Sequence, residues 1–153
     1  MNLMDINREE VPQTICTTLE QSRTLRDLGL SAETSDMTWT SDIFTPKRIY
    51  GEDQYRLCCY PGAVTSQDPT GTPAWSTDAM LAQLPEYIEI DGNICHIYIY
   101  RDFHHNWTIL YECKGKGKGY AANTQANLRD CAFEMLKWYL TERHNLNTDE
   151  ART

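Results

Sequence analysis

The sequence predicts an α+β protein built on a mainly antiparallel sheet. Three observations predict it. Residues 87–113 read as a meander of three consecutive strands. Residues 124–143 carry a helical pattern with a wide apolar arc. Short capped helical segments near 18–28 and 77–84 complete the set.

Taken in order, residues 1–16 are polar and mixed and read as a flexible N-terminal arm. Thr17 and Glu20 fit a capping box for the first helix, whose Thr oxygen takes a backbone N–H while the Glu reaches back. Gly29, just past Leu28, is a natural stop. Its apolar side, Leu19, Leu25 and Leu28, is narrow and suits docking at an edge. Met37 to Thr40, Arg48-Ile49-Tyr50 and Tyr55 to Tyr60 are strand candidates, with Gly51-Glu52-Asp53 as a turn. Residues 61–73, rich in Pro, Gly, Ser and Thr, read as an internal loop. Ser76 or Thr77 then caps a short helix that Pro85 ends, with Trp75 as the anchor at its entrance.

The meander follows. Asp91-Gly92 is a strong hairpin signal, because both residues tolerate positive φ. Ile94 to Tyr100 is rich in β-branched and aromatic residues. A polar loop, Arg101 to Asn106, returns the chain into Trp107 to Cys113. Pairing Tyr100 with Trp107 puts Ile94, His96, Tyr98, Tyr100, Trp107, Ile109, Tyr111 and Cys113 on one face. The other face then holds Cys95, Ile97, Ile99, Thr108, Leu110 and Glu112, a smaller aliphatic seat for a helix. A one-residue slip redistributes the second strand, so the sorting is conditional on that register. The KGKGKG run, Lys114 to Gly119, leads to the last helix, capped at Asn123 or Thr124. Its apolar centre is Leu128, Cys131, Ala132, Met135, Leu136 and Tyr139, flanked by Phe133, Trp138 and Leu140. Residues 144–153 read as a frayed tail around a single domain of 17–143.

Composition bounds the function. Of 153 residues, 41% are hydrophobic and 24% charged, ordinary values for a globular domain. A net charge of −8 argues against general nucleic-acid binding. No apolar run spans a bilayer and no charged-then-apolar leader opens the chain, which predicts a cytoplasmic protein. In that compartment the six cysteines read as reduced thiols, and Cys58-Cys59 as small buried hydrophobes.

Three phrases, TLEQSRTLRDLGLSAETSDMTW, PAWSTDAMLAQLP and NLRDCAFEMLKWYL, resemble small proteins encoded in phages and other mobile elements of gut Bacteroidales. The resemblance spans roughly residues 17–143. It implies an α+β protein of a bacterial host cell and carries no catalytic motif with it.

The candidate chemistry is sparse. Tyr98, Tyr100, Trp107 and Tyr111 with His96 form an aromatic set suited to stacking a nucleobase or to anchoring a protein interface. Lys114, Lys116 and Lys118, alternating with glycines before a helix, suit an anion. His96, Asp102, His104 and His105 are the metal-type ligands nearest one another. Neither a nucleophile elbow nor a Walker spacing is present. The expected function is a non-enzymatic binding or accessory protein of a phage or mobile element. It would engage a host or phage protein, or sequester a small anionic or nucleotide ligand, without a cofactor or membrane contact. The competing expectations are a metal-dependent hydrolase on the His/Asp set and an oligomeric assembly protein that associates through the 124–143 helix.

Overall fold

The computed structural model describes residues 15–41, 55–58, 71–113 and 118–143. They form an α+β fold: α1 (Leu19–Asp27), β1 (Met37–Ser41), β2 (Tyr55–Cys58), β3 (Thr72–Ala74), α2 (Thr77–Ala82), β4 (Tyr87–Ile90), β5 (Asn93–Arg101), β6 (Trp107–Cys113), β7 (Lys118–Gln125) and α3 (Leu128–Glu142). Two antiparallel sheets result, a small one of order β2-β1-β3 and a larger one of order β4-β5-β6-β7.

The expected Arg48-Ile49-Tyr50 strand, the Gly51–Asp53 turn, most of the expected arm and loop, and the 144–153 tail lie outside the described residues. Where arm and loop are described, both expectations change. Cys16 is buried and forms a bridge with Ser76, so the arm is tied down before α1 begins. Thr72–Ala74 is a strand beside β1, and Pro73 is tolerated there because β3 lies at the sheet edge.

Capping places the helices. The α1 box is Thr18 with Gln21, one residue beyond the expected Thr17 and Glu20. Thr17 is instead fully buried, where its hydroxyl oxygen accepts the Trp75 N–H at 3.1 Å and meets Ser22 Oγ at 2.7 Å. Gly29 stops the helix with φ 92°, as its position predicts. Ser76 caps α2 through a bond from Ala79 N, and its own hydroxyl and N–H are held by the Asp36 carboxylate.

The last helix starts later than expected. Residues 118–125 form β7, which adds a fourth strand to the meander, and Asn127 is the cap, accepting the Asp130 N–H at 2.8 Å. The expected helical start at 123–124 is therefore strand. The inward positions of β7, Ala121 and Asn123, are opposite Tyr111 and Ile109. Their small side chains let α3 sit close, and Cys131 Sγ donates to the Asn123 carbonyl at 3.1 Å.

The core lies between this sheet and the helices. Ile88, Cys95, Ile109 and Tyr111 from the sheet meet Cys131, Ala132, Met135, Leu136 and Tyr139 of α3, with Trp75, Met80 and Leu25 closing the side. Burial of this set supplies the main driving force for folding.

A polar network fastens α1 to α3. Asp130 Oδ1 accepts from Gln21 Nε2 at 2.9 Å and Arg129 Nε at 3.0 Å, and Arg129 Nη1 reaches the Cys16 carbonyl at 3.2 Å. Burial alone would raise the Asp130 carboxyl, but hydrogen bonds from Gln21, Asn127 and Arg129, with the guanidinium charge, outweigh it and hold the group below its usual value. A depressed carboxyl contributes stability that is present above its unfolded pKa and lost as pH falls through the folded one. Unfolding titrations should therefore show wild-type stability declining below about pH 4, the ordinary carboxylate range. The Asp130→Asn variant should start less stable at neutral pH and decline less steeply there.

Candidate functional site

The register of the larger sheet decides where each aromatic residue goes. Arg101, and not Tyr100, pairs with Trp107, and the same register carries Tyr98 to Leu110 and Cys95 to Cys113. The tip of the hairpin explains the difference. Asp102 N donates to the Asn106 carbonyl at 2.9 Å and His105 N to the Asp102 carbonyl at 3.1 Å, closing a short loop in which His105 takes φ 63°. That loop, residues 102–106, is one residue shorter than the Tyr100–Trp107 pairing requires.

Opposed residues share a face, so β6 is flipped relative to the expectation. The helix-bearing face holds Cys95, Ile97, Ile99, Arg101, Trp107, Ile109, Tyr111 and Cys113. The outer face holds Tyr87 and Glu89 of β4, Ile94, His96, Tyr98 and Tyr100 of β5, and Thr108, Leu110 and Glu112 of β6. This outer face is open along β5, while Thr108 of β6 is buried. Ile94 and Tyr98 are each 48% exposed and Tyr100 is 46% exposed, at alternate positions of one strand. At the tip, Phe103 is wholly exposed. Isolated exposed apolar residues are ordinary, whereas a contiguous row marks a contact surface.

The expected aromatic set is thus divided. Tyr98 and Tyr100 stand together on the outer face. Trp107 lies on the opposite face, half-buried, with the Arg101 guanidinium 5.5 Å from its ring centre. Tyr111 is fully buried, its hydroxyl donates to the Pro85 carbonyl at 2.7 Å, and its ring lies 6.2 Å from Trp138. Burial, then the neighbouring Tyr139, push the Tyr111 hydroxyl well above the usual tyrosine range, so it stays a donor. Tyr111 is a core residue, and Trp107 packs against that core.

Of the three expected lysines, Lys118 alone lies among the described residues. Lys114 and Lys116 lie outside the described residues. Lys118 opens β7 opposite Cys113, so the remainder of that strand stands between it and the α3 cap at Asn127. From Tyr98 the register places Lys118 roughly 14 Å away along the sheet backbone, given strand rise and strand spacing.

The expected metal ligands have other roles. His96 pairs with Tyr87 across the strands, ring centres 5.9 Å apart. Asp102 Oδ1 accepts the backbone N–H groups of His104 at 2.8 Å and Asn106 at 3.0 Å, so its carboxylate organises the turn. His104 and His105 are exposed at the tip. Among the described residues there is no group of three His, Cys, Asp or Glu side chains able to hold an ion.

Two features escaped the sequence. Phe103 is one, signalled only by an apolar residue inside a polar hairpin loop. The other is a disulfide between Cys95 and Cys113, opposed on the helix-bearing face with Cα atoms 4.0 Å apart. Reduced thiols were expected from the compartment, and for Cys95 and Cys113 the bridge corrects that; the expected pairing of Tyr100 with Trp107 had also put these two cysteines on opposite faces. Cys16 and Cys131 are buried, and burial raises the Cys131 thiol, so neither should react with a thiol reagent in the folded protein.

No described helix is long and apolar enough to cross a membrane. Comparison with protein-family models, curated proteins and solved structures gives no match.

Proposed function

We propose that this chain is a non-enzymatic binding protein that grips a protein partner with the outer face of its larger sheet, as an accessory factor of a phage or mobile element. One observation carries the reading: Ile94, Tyr98 and Tyr100 line one strand, each about half exposed, with Phe103 beyond them. Tyrosine offers a large rigid surface with few rotatable bonds and a polar tip, which favours interface cores. The face carries Glu89 and Glu112 and, among its described side chains, no Lys or Arg, so it supports a protein contact better than an anionic or nucleotide ligand. Assembly through α3 has less support, because its wide apolar arc is already occupied by the sheet, α1 and α2.

The Cys95–Cys113 bridge bears on where binding takes place. Thiol-reducing systems keep cytosolic cysteines reduced, so the mass of the protein taken directly from the host cytoplasm tests the cytoplasmic expectation.

Binding is tested by placing a photo-crosslinking residue at position 98 or 100, with position 23 on the exposed side of α1 as control, in cells of the bacterial host. A discrete adduct from 98 and 100 but not from 23 is expected. The adduct partner, once purified, should bind Tyr98→Ala/Tyr100→Ala about tenfold or more weakly, as anchor residues do. Identical adducts from all three positions would remove the reading.

A further inference from the structure

Strand lengths in the larger sheet are mismatched. β5 runs from Asn93 to Arg101, but β4 covers only Asn93 to His96. One further bond, Ile97 N to the Glu86 carbonyl at 3.1 Å, ends the pairing. Beyond it the chain turns under the sheet, where the Pro85 carbonyl accepts the Tyr111 hydroxyl.

The parity of β5 follows from two observations. A Cα separation of 4.0 Å at Cys95–Cys113 marks a pair whose backbone groups point away from each other. The Ile97 bond to Glu86 agrees, since it shows an odd-numbered residue facing the β4 side. Ile99 and Arg101 therefore aim their N–H and C=O groups at that side, where no described strand runs. The same stretch carries Tyr98, Ile99 (42% exposed) and Tyr100. Exposed backbone of this kind is complemented by an extended polypeptide, because only another strand repeats donors and acceptors at the same spacing.

We propose that the open edge of β5 from Ile97 to Arg101 receives an extended segment of the protein partner as an added antiparallel strand, continuing the line of β4. The inference rests on the proposed binding role and specifies its mode. Charge sets the orientation and the partner's sequence. The distal end of the edge carries Arg101, with His104 and His105 beside it, and the proximal end carries the exposed Glu86. A segment running antiparallel to β5 thus begins with an acidic residue opposite Arg101. It continues with apolar residues beside Tyr100, Ile99 and Tyr98 and ends with a basic residue near Glu86. A second copy of this chain fits less well: two such edges paired antiparallel would set each Arg101 near the other copy's Glu86, but each copy carries −8, and that mutual repulsion favours a separate partner.

The probe is a library of randomised linear peptides selected on the intact, oxidised protein, followed by amide hydrogen exchange read residue by residue. The expected peptides carry the acid–apolar–base order. They slow exchange at Ile99 and Arg101 by about tenfold or more, while the Tyr98 and Tyr100 amides, already bonded to β6, change little. Replacing Ile99 by its α-hydroxy acid, which exchanges the edge N–H for an ester oxygen, should weaken binding about tenfold with the fold retained. Peptides that require Tyr98 and Tyr100 but leave Ile99 and Arg101 unprotected would overturn strand addition and leave the face reading standing. Binding indifferent to Tyr98→Ala and Tyr100→Ala, with no edge protection, would overturn both. Failure to select any peptide would overturn strand addition. Protection that rises with protein concentration alone would put a second copy on the edge and overturn the partner assignment.

Discussion

Trp75→Ala should lower the unfolding free energy by about 3–5 kcal/mol, the range for deleting a large buried aromatic side chain. Trp75 is fully buried at the meeting point of α1, β3 and α2. Its indole N–H donates to Thr34 Oγ1 at 2.9 Å, its backbone N–H donates to Thr17 Oγ1, and its carbonyl accepts the Thr17 N–H at 2.9 Å. The substitution leaves a cavity and removes the indole donor from Thr34 Oγ1, whose own bond to the Ser31 carbonyl remains, and the backbone bonds lose the side chain that fixes them. For a domain with a total stability of about 5–15 kcal/mol, such a loss is a large fraction. Urea denaturation followed by circular dichroism measures it. Tyr98→Ala, another aromatic deletion, should stay within about 0.5 kcal/mol of wild type, because its ring stands on the outer face. A Tyr98→Ala loss as large as that of Trp75→Ala would mean that the face is covered.

Cys95→Ser should cost about 3 kcal/mol. The bridge closes a chain segment of sequence separation 18, and constraining the unfolded chain over such a loop is worth about 3 kcal/mol in the loop-entropy treatment. Cys113→Ser should cost the same. The double variant should cost no more than either single one, since one bond is lost in every case. Reduced wild-type protein should unfold at the same urea concentration as the variants. Intact mass under non-reducing conditions provides the chemical check: the oxidised protein is lighter by two hydrogens, and a peptide map joins the segments that contain Cys95 and Cys113. The bridge lies on the helix-bearing face, so the outer face should keep its exposure in all of these variants.

Much of the fold was legible because local chemistry and tertiary use agree. Asp91-Gly92 forms the expected hairpin turn with φ values of 51° and 78°. Ser76 caps α2, Gly29 ends α1, and the apolar arc read for the last helix supplies most of what it buries, with Leu128 and Trp138 only partly covered and Arg129 buried in addition. β7 was less legible. Its sequence, KGYAANTQ, has Thr124 as its one β-branched residue, too few to signal a strand, and it pairs because β6 presents an edge for it to join. Thr17 carried a capping signature, but its hydroxyl is taken by Trp75 and Ser22, and the cap moves to Thr18.

The candidate site was legible by residue type and not by arrangement. Tyr98 and Tyr100 are exposed together, as an interface requires. Trp107 and Tyr111 came with them only under the Tyr100–Trp107 pairing. A hairpin loop of polar residues does not declare its closing pair, and a slip of one position sends every following side chain to the opposite face. The same slip moved Cys113 to the face opposite Cys95, which left nothing to set against the reduced thiols expected from the compartment.

That register is the point on which the account turns, and one measurement addresses it directly. Backbone Hα–Hα contacts in a nuclear Overhauser spectrum report non-hydrogen-bonded antiparallel pairs, whose Cα atoms approach to about 4.5 Å. The account expects such contacts between Cys95 and Cys113, Ile97 and Tyr111, and Ile99 and Ile109. Hα–Hα contacts joining Tyr98 to Ile109 and Tyr100 to Trp107 would contradict it. They would return Trp107 and Tyr111 to the tyrosine face and remove the Cys95–Cys113 bridge.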